Sequence, residues 1–244
     1  MKIIESNIFK KYRELVFGMS TKDGGVSGDP FFMNLSIATK DSRENVEKNR
    51  ELFFGQLGVS IDRVNFQKQV HSDISREIVK GGFAGDCDAT FTNKTNVFLT
   101  VSVADCLPVF LYDPIKKVIG GIHAGWRGSA NKIASKTINR LVKVYDVDPV
   151  NLVCFLGPCI SQEFFEVGPE VGELFRDEVK IKKGGKYHID LKLENKLQLL
   201  ESGVDENNIE ISPHCTYKEE PVFHSYRRER DNSGRMFGVI GMIG

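Results

Sequence analysis

Three continuous apolar runs in the middle of the chain predict buried β-strands, and they cover residues 97–104, 107–112 and 118–123. Short runs of this kind, bounded by turn residues such as Asp113 and Pro114, are typical of strands that are covered on both faces. Cys106 lies between the first two runs, and His123 ends the third. Both side chains therefore stand where the chain leaves a rigid sheet, a place where proteins often hold reactive groups.

A strand with one polar face is predicted over residues 64–71, where apolar and polar positions alternate. Val64, Phe66 and Val70 share the apolar face. The polar face consists of Asn65, Gln67, Gln69 and His71. A histidine at a strand end is often an ordinary hydrogen-bonded residue, but two glutamines share this polar face. An ordinary role and a ligand role therefore both stay open for His71.

Apolar residues at helical spacing predict three longer helices, over residues 42–57, 129–145 and 190–203. Ser42 and Ser129 are favourable N-caps for the first two helices. In the third helix the predicted buried stripe consists of Leu193, Leu197 and Leu200.

The segments between these helices predict shorter elements. Residues 168–179 are predicted to be helical, and the charged residues 180–186 are predicted to be a surface connection. Residues 151–157 read as a buried strand, and the chain ends in another apolar strand. Because no repeat, low-complexity tract or linker divides the sequence, we predict one domain over residues 1–244.

Charge and cysteine content narrow the functional classes. Thirty-three basic and thirty-three acidic residues cancel, which gives no electrostatic reason to expect nucleic acid or an anionic membrane as a partner. The first residues lack the apolar core of a signal peptide, and no apolar run reaches the length of a membrane-spanning helix. Five cysteines without a framework spacing fit a reducing compartment. We therefore expect a cytoplasmic protein.

Two segments before the central strands have a structural and a functional interpretation. Residues 20–36 are rich in Gly, Ser, Asp and Pro. We favour a solvated turn there over a pocket loop that presents Phe31, Phe32 and Asn34 to a ligand. The segment Asp86-Cys87-Asp88 carries two carboxylates at a strand entry, and we interpret them as structural turn residues.

The strongest candidate site combines His71, Cys106 and His123. Imidazole and thiolate form a donor set that zinc accepts readily, and three ligands on separate strands suit a catalytic site with an open fourth position. The same residues allow a metal-free mechanism, in which Cys106 is a nucleophile activated by a histidine and oriented by Asp105. A buried, inert thiol is the non-functional alternative. Spacing alone does not separate these possibilities.

Arginines near the ends of predicted elements are candidates for binding an anion. Arg127 precedes the helix that Ser129 is predicted to cap, and exposed N–H groups at a helix start attract anions. Arg227, Arg228 and Arg235 add planar donor forks that suit phosphate. In an extended tail Arg227 and Arg228 would face opposite sides, so one of them is expected to pair with an acidic residue. Salt-bridged surface arginines are the alternative for each.

Motifs along nearly the whole chain resemble those of a known family. The most specific are Ala104-Asp-Cys-Leu-Pro108 and His123-Ala-Gly-Trp-Arg-Gly128. The others, in family order, are Gly24-Gly-Val-Ser27, Asn34-Leu-Ser36, Gln69-Val-His71, Asp88-Ala89, Gly157-Pro158, Glu166-Val-Gly168, Cys215-Thr216, Ser225-Tyr-Arg-Arg228 and Gly234-Arg-Met236. On these motifs the sequence resembles the YfiH/laccase-domain family, whose members carry the names purine nucleoside phosphorylase and polyphenol oxidase.

The resemblance implies an α+β fold, a single domain with a mixed β-sandwich flanked by helices. It implies a catalytic zinc site on His71, Cys106 and His123. It also implies phosphorolysis of adenosine, inosine, guanosine and 5′-methylthioadenosine with phosphate, together with some adenosine deamination. The candidate substrate-binding residues on the shared motifs are Asn34, Gln69, Asp105, Arg127, Arg227 and Arg228.

Two departures from the family pattern concern the pocket lining. Ser72 stands where glycine is common, and Glu163-Phe164-Phe165 replaces a frequent Cys-Cys-Tyr. Both leave the predicted metal ligands unchanged, so they bear on nucleoside preference.

Other functions stay open beside the phosphorylase. A copper-dependent polyphenol oxidase is the second hypothesis, because copper also accepts histidine and cysteine. A multicopper oxidase of the ordinary kind, however, needs many more histidines than the five in this chain. A metal-free Cys-His hydrolase and a non-enzymatic nucleotide-binding scaffold are the further alternatives.

Overall fold

The computed structural model describes residues 1–244, and its central strands are buried on both faces. The strands are β1 (Ile3–Ile4), β2 (Leu15–Ser20), β3 (Val64–Lys68), β4 (Ser75–Glu77), β5 (Gly82–Asp86), β6 (Ala89–Thr92), β7 (Phe98–Val103), β8 (Leu107–Asp113), β9 (Val118–Ala124), β10 (Val153–Leu156), β11 (Glu166–Val167), β12 (Lys180–Lys183), β13 (Lys186–Ile189), β14 (Ile209–Ile211) and β15 (Met236–Met242). The helices are α1 (Arg43–Gln56), α2 (Trp126–Ala130), α3 (Ile133–Tyr145), α4 (Pro169–Gly172), α5 (Leu191–Glu201) and α6 (Tyr226–Glu229).

Twelve of the strands form two six-stranded sheets of mixed direction. The first sheet has the order β1-β2-β15-β7-β3-β5, and the second has the order β14-β10-β8-β9-β6-β4. In the first sheet β3 runs parallel to both of its neighbours, β5 and β7. In the second sheet the two edge strands, β14 and β4, run parallel to their neighbours, and the inner pairs are antiparallel. Strands β11, β13 and β12 form a small antiparallel sheet.

Three clusters of buried apolar side chains define the order of the layers. Leu99 of the first sheet and Phe110 of the second belong to the cluster between the sheets. Phe53 of α1 belongs to the cluster on the outer face of the first sheet. Ile138 of α3 and Leu199 of α5 belong to the cluster on the outer face of the second sheet. The predicted α+β fold, a mixed β-sandwich flanked by helices, is therefore confirmed.

Strand β8 explains why the central sequence runs are apolar without alternation. Leu107, Val109 and Leu111 belong to the cluster under the helices. Phe110 and Tyr112 point the other way, into the cluster between the two sheets. Because helices cover one face of this strand and a second sheet covers the other, neither face tolerates a polar pattern.

One helix begins at its predicted cap, and another begins at a cap that was not predicted from the sequence. The side chain of Ser42 accepts a hydrogen bond from the Asn45 N–H at the start of α1, and Asp190 accepts from the Leu193 N–H at the start of α5. The predicted buried stripe of α5 is only partly confirmed: Leu193 and Leu197 are half-buried against the core, but the fully buried residues are Leu191, Glu194, Asn195, Gln198 and Leu199. None of the six helices is both long and apolar enough to cross a membrane.

The polar part of this buried face binds α2. Asn195 donates to the Ser129 hydroxyl, and Gln198 donates to the Ser129 carbonyl. These bonds satisfy the amide nitrogens and lower the cost of their burial, although the side-chain oxygens of both residues are buried without a hydrogen-bond partner. The leucine spacing therefore predicts a face of α5 next to the one that is most deeply buried.

The prediction of one helix over residues 129–145 is wrong. Helix α2 ends at Ala130, Lys132 takes a left-handed φ of 60°, and α3 then begins at Ile133. Ser129 lies inside α2 and is no cap, since its hydroxyl donates to the carbonyl of Ala124.

Residues 168–186 also differ from the prediction. Only α4 and a short 3-10 turn at Asp177–Val179 are helical in the first part. The charged stretch forms the β12–β13 hairpin, whose turn residues Gly184 and Gly185 have φ values of 57° and 79°. Glycine adopts this conformation without strain, so a tight hairpin turn forms here although the surrounding residues are charged.

The chain crosses from the first sheet to the second at three places, and at the first of them residues 69–74 connect β3 with β4. Cys87 and Asp88 connect β5 with β6, and residues 104–106 connect β7 with β8. His71 follows the end of β3, and His123 lies near the end of β9. The crossings therefore place polar residues next to the strand ends that carry the two histidines.

Gly238 in β15 provides a test of the packing between the sheets. A Cβ at this position would lie 2.3 Å from Cζ of Phe110, so Gly238→Ala should destabilise the protein by about 1–3 kcal/mol. The matched control is Gly55→Ala in α1, where no atom lies within 4 Å of the added Cβ. The higher helix propensity of alanine should raise the free energy of unfolding of this variant by about 0.5–1 kcal/mol. Urea unfolding measures both variants, and equal stabilities would contradict the packing.

Candidate metal centre

His71, Cys106 and His123 come together as the sequence predicts. Their ligand atoms all lie within 4.8 Å of one another, and Cys106 Sγ is 3.9 Å from His71 Nε2. The two imidazole rings are edge to face, with centroids 4.9 Å apart. His71 is exposed, Cys106 is half-buried and His123 is only 3 % exposed. One side of the group therefore opens to solvent while the other is anchored in the core.

Backbone geometry brings these three side chains together. His71 has a φ of 58° and Asp105, just before Cys106, has a φ of 84°. Both values lie in the left-handed region, which non-glycine residues occupy only where the surroundings hold them. His123 is fixed by its strand, where it is paired with Pro108 of β8.

Gly125 leaves the space that the group needs. A Cβ at this residue would lie 3.0 Å from Cδ2 of His71 and 3.1 Å from Sγ of Cys106. Any larger residue would press on two of the three candidate ligands. The glycine in the His-Ala-Gly-Trp-Arg-Gly motif therefore has a steric reason.

The three donors fit a metal ion such as zinc. Ligand atoms on one tetrahedral zinc lie about 3.5 Å apart, given bond lengths of about 2.0–2.3 Å, and the observed Sγ–Nε2 separation is close to this value. Two imidazoles and one thiolate leave a fourth position free, as catalytic zinc sites do. Copper accepts the same donors, so the geometry supports a metal centre and leaves the metal open.

The electrostatics of the thiol also suit a ligand or a nucleophile. Burial alone would raise the pKa of Cys106, but the charge of His123 and hydrogen bonds with both imidazoles outweigh it and lower this pKa. Burial alone would lower the pKa of His123, but Cys106 and Asp88 outweigh it and raise this pKa. A thiolate–imidazolium pair is therefore favoured whenever no metal binds.

Asp88 is the functional residue that sequence reasoning missed. Its carboxylate is inaccessible to solvent and accepts the Nδ1–H of His123 at 2.8 Å. It also accepts four bonds from the loop of His71: the N–H groups of Val70, His71 and Ser72, and the hydroxyl of Ser72. One buried carboxylate thus orients both histidines and leaves Nε2 of His123 free for a metal.

The interpretation of Asp88 as a mere turn residue is therefore wrong. Burial opposes ionisation, but the hydrogen bonds from His123 and Ser72 outweigh it and hold the pKa of Asp88 below its usual value. The signal in the sequence was a pair of carboxylates at a strand entry, which surface turns also show. Only the fold reveals that the second carboxylate points inward.

Gln69 continues the pairing of β3 and β7 beyond the end of β3. Its side-chain amide donates to the carbonyl of Ser102 and accepts from the N–H of the same residue, both at 2.7 Å. Gln67 does the same in part by donating to the carbonyl of Thr100. These side chains fix the loop before His71, and a substrate contact of Gln69 stays a prediction.

Asn34 is completely buried in the segment that was predicted as a solvated turn. Its amide donates to Ser36, Thr39 and Asp41, and its oxygen accepts from the N–H groups of Ser36 and Arg235. The amide thereby ties residues 34–41 to the C-terminal segment. The structure does not bring it into the group of His71, Cys106 and His123, and its predicted substrate contact stays a prediction.

Asp105 directly precedes Cys106, one of the three candidate ligands, but its carboxylate is buried away from solvent. It is 8 % exposed and accepts hydrogen bonds from the Thr216 hydroxyl, the Ser225 hydroxyl and the Arg227 N–H. Burial raises the pKa of this carboxyl, although the same hydrogen bonds oppose the shift. Its partners are all residues of the C-terminal segment.

The candidate arginines differ in how much of each guanidinium is free. Arg127 is exposed, and its guanidinium lies 4.2 Å from the centre of the Trp126 ring. Arg227 donates one nitrogen to the carbonyl of Glu166. Arg228 binds Glu229 at 2.8 Å. The prediction that one of the adjacent arginines pairs with an acidic residue is therefore confirmed for Arg228.

The Nη1 and Nη2 groups of Arg228 also donate to the carbonyl groups of Thr216, Tyr217 and Phe223, while its Nε is buried without a hydrogen-bond partner. The predicted extended tail is wrong at this place, because residues 226–229 form α6. Arg127 and Arg227 are thus the arginines with donors to spare, whereas Arg228 serves the fold.

Comparisons with known proteins show the family and the fold of this chain. Residues 16–243 match the family described as "Multi-copper polyphenol oxidoreductase laccase". The chain is 32% identical over 248 residues to the purine nucleoside phosphorylase YlmD of Bacillus subtilis (strain 168), covering 94% of this chain and 89% of that protein. It is 33% identical to adenosine deaminase RL5 of an unknown prokaryotic organism, covering 97% and 98%. The crystal structure of YlmD from Geobacillus stearothermophilus superposes with a TM-score of 0.93 at 29% identity, covering 98% and 94%.

Replacing Asp88 should weaken metal binding without removing a ligand. In Asp88→Asn the amide nitrogen meets N–H donors that a carboxylate accepts, so both histidines lose orientation and zinc affinity should fall by about 10–100-fold. The matched control is Asp86→Asn, an exposed carboxylate whose ion pair is a 3.7 Å contact with Lys68. Competition with a chromogenic chelator measures both, and equal zinc affinities would contradict the role of Asp88.

Proposed function

The chain belongs to the multi-copper polyphenol oxidoreductase laccase family, and from its site we propose that it is a zinc-dependent purine nucleoside phosphorylase. The proposed substrates are inorganic phosphate and adenosine, inosine, guanosine or 5′-methylthioadenosine, and adenosine deamination is the proposed side activity. The observation that carries the proposal is the group of His71, Cys106 and His123, oriented by the buried Asp88. Relatives named purine nucleoside phosphorylase and adenosine deaminase, which match almost the whole chain, support it.

The chain's own residues supply most of the proposed chemistry. In phosphorolysis an oxygen of phosphate forms a bond to C1′ of the ribose, the C1′–N9 bond breaks, and the purine leaves with the electron pair and takes up a proton. Zinc, when bound by the two histidines and Cys106, would supply Lewis acidity toward an oxygen of substrate or water. Asp88 keeps both imidazoles oriented for this purpose.

Phosphate must be held against its own negative charge, and Arg127 is the best candidate for this task. Its guanidinium is exposed, rests on the Trp126 ring and has no carboxylate partner. Helix α2, which carries it, follows directly on β9 and His123. Arg227 is the second candidate, since it uses one nitrogen for Glu166 and retains other donors. A planar fork that pairs two phosphate oxygens suits this role.

The family description makes a copper-dependent oxidase the second candidate function. Its supporting observation is the histidine and cysteine donor set, which copper also accepts. Against it, the structure contains one group of three or more histidine, cysteine or acidic side chains that could hold a metal ion. A multicopper oxidase uses several copper ions, so the phosphorylase ranks first.

The predictions about partners and location accompany this proposal. We propose small-molecule substrates, no nucleic-acid or membrane partner, and a cytoplasmic location. All five cysteines are free thiols, which fits a reducing compartment.

Zinc removal gives the first test of the function. The purified protein should carry about one zinc ion per chain, and chelation should abolish phosphate-dependent cleavage of adenosine until zinc is restored. His71→Ala, Cys106→Ala and His123→Ala should each lose zinc and turnover together. Full zinc content in an inactive Cys106→Ala variant would make the thiol a nucleophile. Oxidation of phenols by a copper-loaded form without nucleoside turnover would favour the oxidase.

Phosphate binding gives a second, independent test. Arg127→Ala should raise the KM for phosphate, with a loss of about 1.5–3 kcal/mol for a charged hydrogen bond. Zinc content and adenosine deamination, which needs no phosphate, should stay unchanged. Arg43→Ala is the control, because this exposed arginine on α1 pairs only with Glu47. A normal phosphate KM in Arg127→Ala would assign phosphate to other residues, with Arg227→Ala as the next variant.

A further inference from the structure

We propose that Asp105 is a positioning residue that couples the thiol of Cys106 to Arg227, and that it does not bind substrate. The residue was a substrate-binding candidate in the sequence. The structure places its carboxylate in the core instead, between the loop of the metal group and the helix that carries Arg227. The inference rests on the proposed function only in taking the ligand of Arg227 to be inorganic phosphate.

Hydrogen bonds occupy both oxygens of this carboxylate. Oδ1 accepts the Thr216 hydroxyl at 2.7 Å. Oδ2 accepts the Ser225 hydroxyl at 3.0 Å and the Arg227 N–H at 2.6 Å. A carboxylate that is 8 % exposed and takes three donors has little left to offer a substrate.

The same contacts define the start of α6. The Ser225 side chain accepts the N–H of Arg228 as a helix cap, and Asp105 accepts the N–H of Arg227. Two first-turn N–H groups of a four-residue helix are thus satisfied by one hydroxyl and one carboxylate. The position of the Arg227 backbone therefore depends on a residue from the β7–β8 crossing.

Asp105 also fixes the thiol on its other side. Its φ of 84° makes the sharp turn that delivers Cys106, and aspartate tolerates this conformation better than most residues. The backbone carbonyl of Asp105 accepts the N–H of Ile160 at 3.0 Å. The residue is held through both its side chain and its backbone. A shift of α6 is therefore transmitted to Cys106, and a shift of Cys106 is transmitted to α6.

Asp105→Ala separates this role from that of a substrate ligand or an ordinary core residue. The zinc-loaded variant should bind inorganic phosphate about tenfold more weakly, and its zinc affinity should fall by about 10–100-fold. Cys106→Ser should lower zinc affinity directly, and Arg227→Ala should weaken phosphate alone. Chelator competition measures zinc affinity, and titration calorimetry with inorganic phosphate measures the anion, so neither readout needs turnover.

Two milder variants guard against simple unfolding. Ser225→Ala removes the cap next to Arg227 and one of the two donors to Oδ2 of Asp105, so phosphate affinity and zinc affinity should both fall, each by less than in Asp105→Ala. Thr216→Val removes one donor to Oδ1 and should change both affinities less than Asp105→Ala. If Asp105→Ala unfolds, this graded pair decides, and wild-type affinities in both variants would overturn the inference.

The outcomes also distinguish this inference from the proposed function. A folded Asp105→Ala variant that binds zinc and phosphate like wild type overturns the inference, whatever its turnover. Loss of only one affinity overturns the coupling as well. Wild-type protein that binds zinc but no phosphate overturns it too, because no anion site would remain to be coupled. If both affinities fall as expected while wild type cleaves no nucleoside, the inference stands and the phosphorylase proposal fails.

Discussion

The buried carboxylate of Asp88 is the contact on which the candidate site depends. It accepts hydrogen bonds from the His123 ring and from the loop that carries His71. A carboxylate without solvent access stays ionised only while such donors surround it. Strand β9 and the loop after β3 therefore hold each other in place through one charge. Because Asp88 also lies in the connection between the two sheets, the same carboxylate supports the packing of the sandwich and the orientation of the histidines.

The crossing between β7 and β8 repeats this arrangement with different partners. Asp105 lies between β7 and β8 as Asp88 lies between β5 and β6, and both carboxylates are buried. Asp88 accepts three backbone N–H groups, and Asp105 accepts one together with two hydroxyl groups. Asp88 joins the two histidines, whereas Asp105 joins the thiol loop to the C-terminal helix. A chain that changes sheets cannot keep its ladder hydrogen bonds at the crossing, and a buried carboxylate supplies acceptors for the N–H groups nearby. The site is thus built where the fold most needs polar side chains.

The local pattern of apolar residues was sufficient to predict the strands that are buried in the core. It was insufficient wherever contacts between residues far apart in the sequence determine the structure. Continuous apolar runs predicted β7, β8 and β9, and with them the positions of Cys106 and His123 at strand ends. The left-handed Lys132 that divides α2 from α3 has no comparable signal, since lysine is an ordinary helix residue. The predicted inward face of α5 missed Asn195 and Gln198, because these polar residues are buried against Ser129, which lies 66 to 69 residues away in the chain. Asp88 was missed for the same reason, because its partner His123 is 35 residues distant.

The ligands of the candidate centre do not by themselves choose between oxidation and phosphorolysis, and their surroundings carry that argument. An oxidase that moves several electrons needs further copper sites, and the chain has one group able to hold a metal. A neutral phenol gains little from a free guanidinium, whereas phosphate gains a charged, two-point contact. Arg127 stands without a carboxylate partner directly after the strand of His123, and Arg227 is held at the first turn of α6 by Asp105. A guanidinium that has no carboxylate partner and lies on the helix after β9 can bind an anionic co-substrate, which supports the proposed phosphorylase over a phenol oxidase.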